Sequence, residues 1–72
     1  MEEYIAVRIN SGSVSEIGPM NPQTQSARLQ DGSYGSVADA LNKMAEYGFR
    51  LVPGMVIPWS PDTCTVIMRR EK

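Results

Sequence analysis

The sequence predicts a small α+β domain, a split β-α-β-β arrangement with an antiparallel or mixed three-stranded sheet, one helix on one face and a long polar loop after the first strand. Three observations predict it. Glu3 to Ile9 alternates with period two and is rich in β-branched residues. Ser36 to Tyr47 spaces its apolar residues as one helical stripe. Phe49 to Pro58 and Thr63 to Arg70 are two apolar runs separated only by Trp59-Ser60-Pro61-Asp62, which reads as a hairpin.

In the first strand Glu3, Ile5, Val7 and Ile9 share one face, and Tyr4, Ala6 and Arg8 share the other. Residues 10–35 are rich in Ser, Gly, Asn, Gln and Pro, with Asn-Ser-Gly, Gly-Pro and Asn-Pro punctuation. A structureless stretch of this length is uncommon in a compact domain. It is disordered, holds a short extra hairpin, or is functional; Gln25 to Gln30 is a candidate short strand ending at Asp31-Gly32.

Ser36 is a natural N-cap, and Asp39 stands where a capping box places its acid. Val37, Leu41, Met44 and Ala45 form the expected buried stripe; Asp39, Asn42, Lys43 and Glu46 take the wet side. Gly48 suits the left-handed position that ends a helix. The second strand carries Pro53 and Pro58, so it belongs at an edge, with Pro53-Gly54 as a bulge. The last strand lacks Pro and Gly and is apolar on both faces, which suits a central position.

A right-handed crossover makes the first two strands parallel, and the hairpin sets the third antiparallel to the second. With the third strand central, the order is 1-3-2. One helix covers one sheet face. The other face, or the edge next to Met55 to Ile57, is then free for a second subunit.

The chain has 72 residues, which sets one domain spanning 1–72. A domain of this size buries only ~60% of the surface its unfolded chain exposes. One cysteine excludes an internal disulfide, and the absence of histidine removes Ser-His and Cys-His nucleophile pairs and most zinc or copper sites. A net charge of −1 lacks the basic footprint of a nucleic-acid binder. The acidic start MEEYIAVRIN is unlike a signal peptide, and no apolar run reaches the ~20 residues of a membrane span. Cys64 as a lone thiol suits a reducing compartment, so the expected address is cytoplasmic. A core this small favours a homo-oligomer.

Gly32-Ser33-Tyr34-Gly35-Ser36 is the most suggestive local feature. Backbone N–H groups at a helix start, beside two glycines and two hydroxyls, suit a phosphate or carboxylate. The plain alternative is a loop ending in an ordinary Ser cap. Arg28 and Arg8 are candidate anion ligands, or solvated loop and strand residues. Tyr34 and Trp59 are candidate stacking platforms, and Trp59 at the hairpin tip has little reason to be there for folding alone. Asp31, Asp39 and Asp62 show no metal-like spacing; Cys64 reads as a structural thiol, and Arg69, Arg70 and Lys72 as a solvated basic end. No cofactor or metal is expected.

The Tyr-x-hydrophobic first strand, Leu41-Asn42-Lys43-Met44, Gly48-Phe49-Arg50-Leu51-Val52 and the terminal Met68-Arg69-Arg70 resemble a widespread family of short bacterial and phage domains of unknown function. That family has a Leu-Asn helix, then Gly-Trp-Glu-Leu-Val, then a basic-ended last strand. The match covers Glu2 to Val7 and Leu41 to Arg70, with Phe49 and Arg50 in place of Trp and Glu. The resemblance implies the fold and no activity.

The functional expectation is a non-enzymatic, oligomeric binder of an anionic, nucleotide-like small molecule, held by Arg28, Ser33, Tyr34, Gly35, Ser36, Arg8 and Trp59. A phage protein that sequesters an immune signal fits this size and economy. The alternative is a protein-interaction or regulatory module using the open sheet face, the edge strand or the Trp59 tip.

Overall fold

The computed structural model describes residues 1–71. In chain order it contains β1 (Glu2–Asn10), β2 (Ser13–Gly18), α1 (Pro22–Ser26), α2 (Val37–Glu46), β3 (Arg50–Ser60) and β4 (Thr63–Glu71). The strands form one antiparallel sheet in the order β2-β1-β4-β3. β1, β4 and β3 therefore lie side by side in the expected order, with the proline-free strand between the other two. The correction is β2, a fourth strand on the outer edge of β1.

The 10–35 segment is thus not one long loop. Ser11 and Gly12, both at positive φ (51° and 81°), make a two-residue turn between Asn10 and Ser13. β2 escapes a period-two reading because its buried residues, Val14 and Ile17, are three apart. A register shift opposite Arg8/Ile9 leaves Ser15 without a partner, so that Val14 pairs with Ile9 and Ile17 with Val7, and both face the core.

Nor is Gln25 to Gln30 a strand. Asn21 caps α1, accepting from the Thr24 N–H at 2.9 Å, while the Thr24 hydroxyl accepts from the Asn21 N–H at 2.8 Å. Pro22 occupies the first turn, where its missing N–H costs nothing. Past α1 the chain closes a turn through Leu29 N–H to Ser33 C=O at 2.7 Å and Gly32 N–H to Leu29 C=O at 3.0 Å.

α2 begins at its expected cap, where the Ser36 hydroxyl accepts from the Asp39 N–H at 3.2 Å. It ends in a Schellman motif: Gly48 (φ 93°) donates to Ala45 C=O at 3.0 Å and Phe49 to Met44 C=O at 3.2 Å. The stripe is shifted from the expected one. Ala40 and Met44 are buried, while Val37 and Leu41 pack at the rim.

Both helices lie on one side of the sheet, over a core of Ile5, Val7, Val14, Ile17, Ala40, Met44, Phe49 and Met68. Arg70 does not belong to a solvated basic end. Its guanidinium lies 4.4 Å from the Phe49 ring centroid and donates to Glu3 Oε1 (2.6 Å), Tyr47 C=O (2.9 Å) and Gln23 Oε1 (2.8 Å). The geometry follows from register: Glu3 faces Arg70 across β1 and β4, on the helix side. Arg69 is exposed as expected, and Lys72 lies outside the described residues.

β3 is the least covered element. Val52 is its one half-buried residue, and the rest are exposed. Pairing with β4 shifts register between Leu51 and Val56, around Pro53-Gly54, and again between Pro58 and Ser60. Bulges and prolines on an outer strand hinder addition of a further strand. Among the described residues, no helix is long and apolar enough to cross a membrane.

Candidate functional site

The sheet face opposite the helices has no covering layer. Register assigns its residues. Glu2, Tyr4, Ala6 and Arg8 of β1 stand on it, beside Glu16 and Gly18 of β2, and Thr65, Ile67, Arg69 and Glu71 of β4. Arg50 and Ile57 of β3 continue the face through their pairing with Arg69 and Thr65. Near its middle is an open concavity of about 260 Å³ lined by Ala6, Arg8, Glu16, Gly18, Trp59 and Thr65. The two smallest side-chain positions, Ala6 and Gly18, are direct register partners, which is why a hollow forms there.

Trp59 walls this hollow. Its indole N–H donates to the Thr65 hydroxyl at 2.8 Å, and the Arg8 guanidinium carbon lies 5.9 Å from its ring centroid. The indole is thereby held, yet Trp59 remains 62% exposed. The hydrogen bond satisfies the polar handle and leaves the ring's large apolar surface in water. Arg8 also approaches Glu16 at 3.9 Å, and Arg69 approaches Glu2 at 3.7 Å.

A second concavity, also about 260 Å³, lies on the helix side and is lined by Ser26, Ala27, Arg28, Leu29, Tyr34, Gly35, Asp39 and Lys43. Arg28 stacks over Tyr34 at 5.4 Å to the centroid, and its Nε donates to the Tyr34 hydroxyl at 3.3 Å. Tyr34 is buried, with 2% of its surface exposed, so its ring is a core residue more than a stacking platform.

The seven residues singled out in the sequence therefore divide between two surfaces. Arg28, Tyr34 and Gly35 converge on the helix-side concavity. Arg8 and Trp59 share the hollow on the opposite sheet face. Ser33 and Ser36 line neither, and both are occupied locally. Ser33 donates to Asp31 Oδ1 from its hydroxyl (2.7 Å) and its N–H (2.9 Å), while Ser36 caps α2. The Ser33 hydroxyl and then its N–H hold the Asp31 carboxyl below its ordinary pKa. At Gly35 (φ 75°) an added Cβ meets nothing closer than Leu29 Cδ1 at 3.5 Å. The glycine there answers backbone conformation more than close approach.

Sequence reasoning did not single out Lys43 and Asp39 as neighbours of Arg28, although their i,i+4 spacing puts them on one helix flank. It also missed Thr65 as the anchor of Trp59. The sequence places Trp59 in the hairpin turn, whereas β3 runs through Ser60, so alternation from Ile57 puts the Trp59 ring on the bare face. Among the described residues no cluster of His, Cys, Asp or Glu is arranged to hold a metal ion. Compared with protein-family models, curated proteins and solved structures, the chain finds no match.

Proposed function

We propose that this protein is a non-enzymatic interaction module whose binding surface is the uncovered face of its sheet. The observation that carries this is the state of Trp59: an indole held by Thr65, beside the Ala6/Gly18 hollow, with most of its ring in solvent. Aromatic rings held in place at low entropic cost are the usual anchors of protein interfaces. Tyr4 and Ile57 share the face and are themselves about half exposed. Contiguous exposed apolar surface rimmed by charge is the ordinary signature of an interaction site. The bulged, proline-bearing outer edge of β3 favours contact through the face over strand addition.

A small-anion site on the helix side is the second reading. Its support is the convergence of Arg28 and Lys43 on one concavity with Tyr34 and Gly35. Asp39 lines the same space and opposes a bound anion, and the Ser33 and Ser36 hydroxyls are engaged elsewhere. Nucleotide-like chemistry would belong to that concavity, not to Arg8 and Trp59.

A photo-crosslinking amino acid at Ile57, and separately at Gln30 on the far side, tests the proposal in cells producing the protein. A covalent protein adduct from position 57 and none from position 30 is the expected result. Adducts from position 30 alone, or from neither, refute it.

A further inference from the structure

We infer that the occupant of the uncovered face is a second copy of this chain, packed face to face around Trp59. The dimer presupposes the interaction role proposed above and adds the identity of the partner. Charge is the first support. Among the described residues the face carries Glu2, Glu16 and Glu71 against Arg8, Arg50 and Arg69, three anions and three cations. Two of the cations already approach an anion on the same face, Arg8 with Glu16 and Arg69 with Glu2. A partner of one strong sign, such as a nucleic acid or an acidic peptide, meets no matching field here. A two-fold copy brings the same balanced set of charges, and an isologous interface needs that self-complementarity.

Size is the second support. The molecule is a slab with extents of 33 × 31 × 18 Å, and the bare sheet is one of its two broad sides. Four strands ~4.8 Å apart, with β1 and β4 nine residues long, β3 eleven and β2 six, at ~3.4 Å per residue present a plane of at most roughly 19 by 30 Å. That plane is smaller than the ~800 Å² of accessible surface per partner that a standard stable interface buries, so the whole face, with the relief of its side chains, takes part in the contact. Two such faces packed ~10 Å apart complete a sheet-on-sheet core, with helices outside on both sides. Tyr4, Ile57, Trp59 and Ile67 supply its apolar side chains, and the Ala6/Gly18 hollow gives the facing aromatic residues room.

Sedimentation velocity across nanomolar to sub-millimolar concentrations tests this with the full chain and three variants. Ala6→Arg fills the hollow, and Ile57→Glu charges an exposed position on the same face. Val56→Glu, one residue away and 56% exposed, points to the helix side and serves as the control. The expected result is a species of twice the 8.0 kDa chain mass. Ala6→Arg and Ile57→Glu each weaken it by at least about tenfold, as central interface contacts do, and Val56→Glu leaves it intact. If Ala6→Arg fails to fold, Ile57→Glu against Val56→Glu decides alone. A monomer at every concentration overturns the inference; a cross-link from position 57 to a different protein then still leaves the interaction module standing. A dimer indifferent to Ile57→Glu, or equally sensitive to Val56→Glu, also overturns it, since the copies then meet elsewhere.

Discussion

Arg70 shows how much one residue holds in a chain this small. It is largely buried, and its hydrogen bonds join β4 to β1, to α1 and to the end of α2, over the face of Phe49. Breaking a largely buried ion pair costs ~3–5 kcal/mol. Arg70→Ala is therefore expected to unfold the domain or lower its denaturation midpoint sharply. Arg70→Lys is expected to rescue it poorly, because one ammonium cannot reproduce the planar fork or the stacking. Chemical denaturation checks both, and a full rescue by Lys contradicts the geometry. Position in sequence hid this role: beside Arg69 and near the end, Arg70 reads as tail, and only the β1–β4 register brings Glu3 opposite it. Asp31 offers a second residue-scale check. Its carboxyl pKa is lowered by Ser33, so this contact stabilises the fold at pH above the ordinary carboxylate range. That contribution is lost as pH falls through the lowered value. In Ser33→Ala the Asp31 titration followed by NMR is expected to move up toward the ordinary value; an unchanged titration removes the assigned cause.

At the scale of elements, legibility followed from how each element meets its neighbours. The boundaries of α2 were readable because both ends are closed by local chemistry, Ser36 before it and Gly48 after it. Which of its residues face the sheet is a tertiary matter. The buried pair is Ala40 and Met44, not the Leu41 side of the stripe. Met44→Ala is accordingly expected to cost ~2–5 kcal/mol, as buried truncations do, and Leu41→Ala clearly less. Thermal or denaturant unfolding of the two variants checks this, and the reverse ranking contradicts the helix placement. β2 was hidden by a single unpaired residue, Ser15, which breaks its alternation. α1 was hidden because Asn21-Pro22 serves turns and helix starts alike; Thr24, three residues past the cap, was the distinguishing signal. β3 and β4 were legible from proline placement, since a proline-bearing strand has no place between two neighbours.

At the scale of the molecule, the decisive property is a two-layer slab with helices on one side only. The sequence predicts that imbalance from its count of elements, and Tyr4, Ala6 and Arg8 fall on the bare side by alternation alone. What it could not supply was the division of the candidate residues: Arg8 and Trp59 lie on one broad face, Arg28, Tyr34 and Gly35 on the other. Fluorescence exploits the fact that Trp59 is the only tryptophan in the chain. Its emission therefore reports on the bare face alone. Diluting the purified protein from sub-millimolar to nanomolar concentration is the most direct measurement. A dimer closed over Trp59 gives blue-shifted, quencher-resistant emission when concentrated and red-shifted, quenchable emission when dilute, whereas emission that stays solvent-exposed and constant across the series contradicts it.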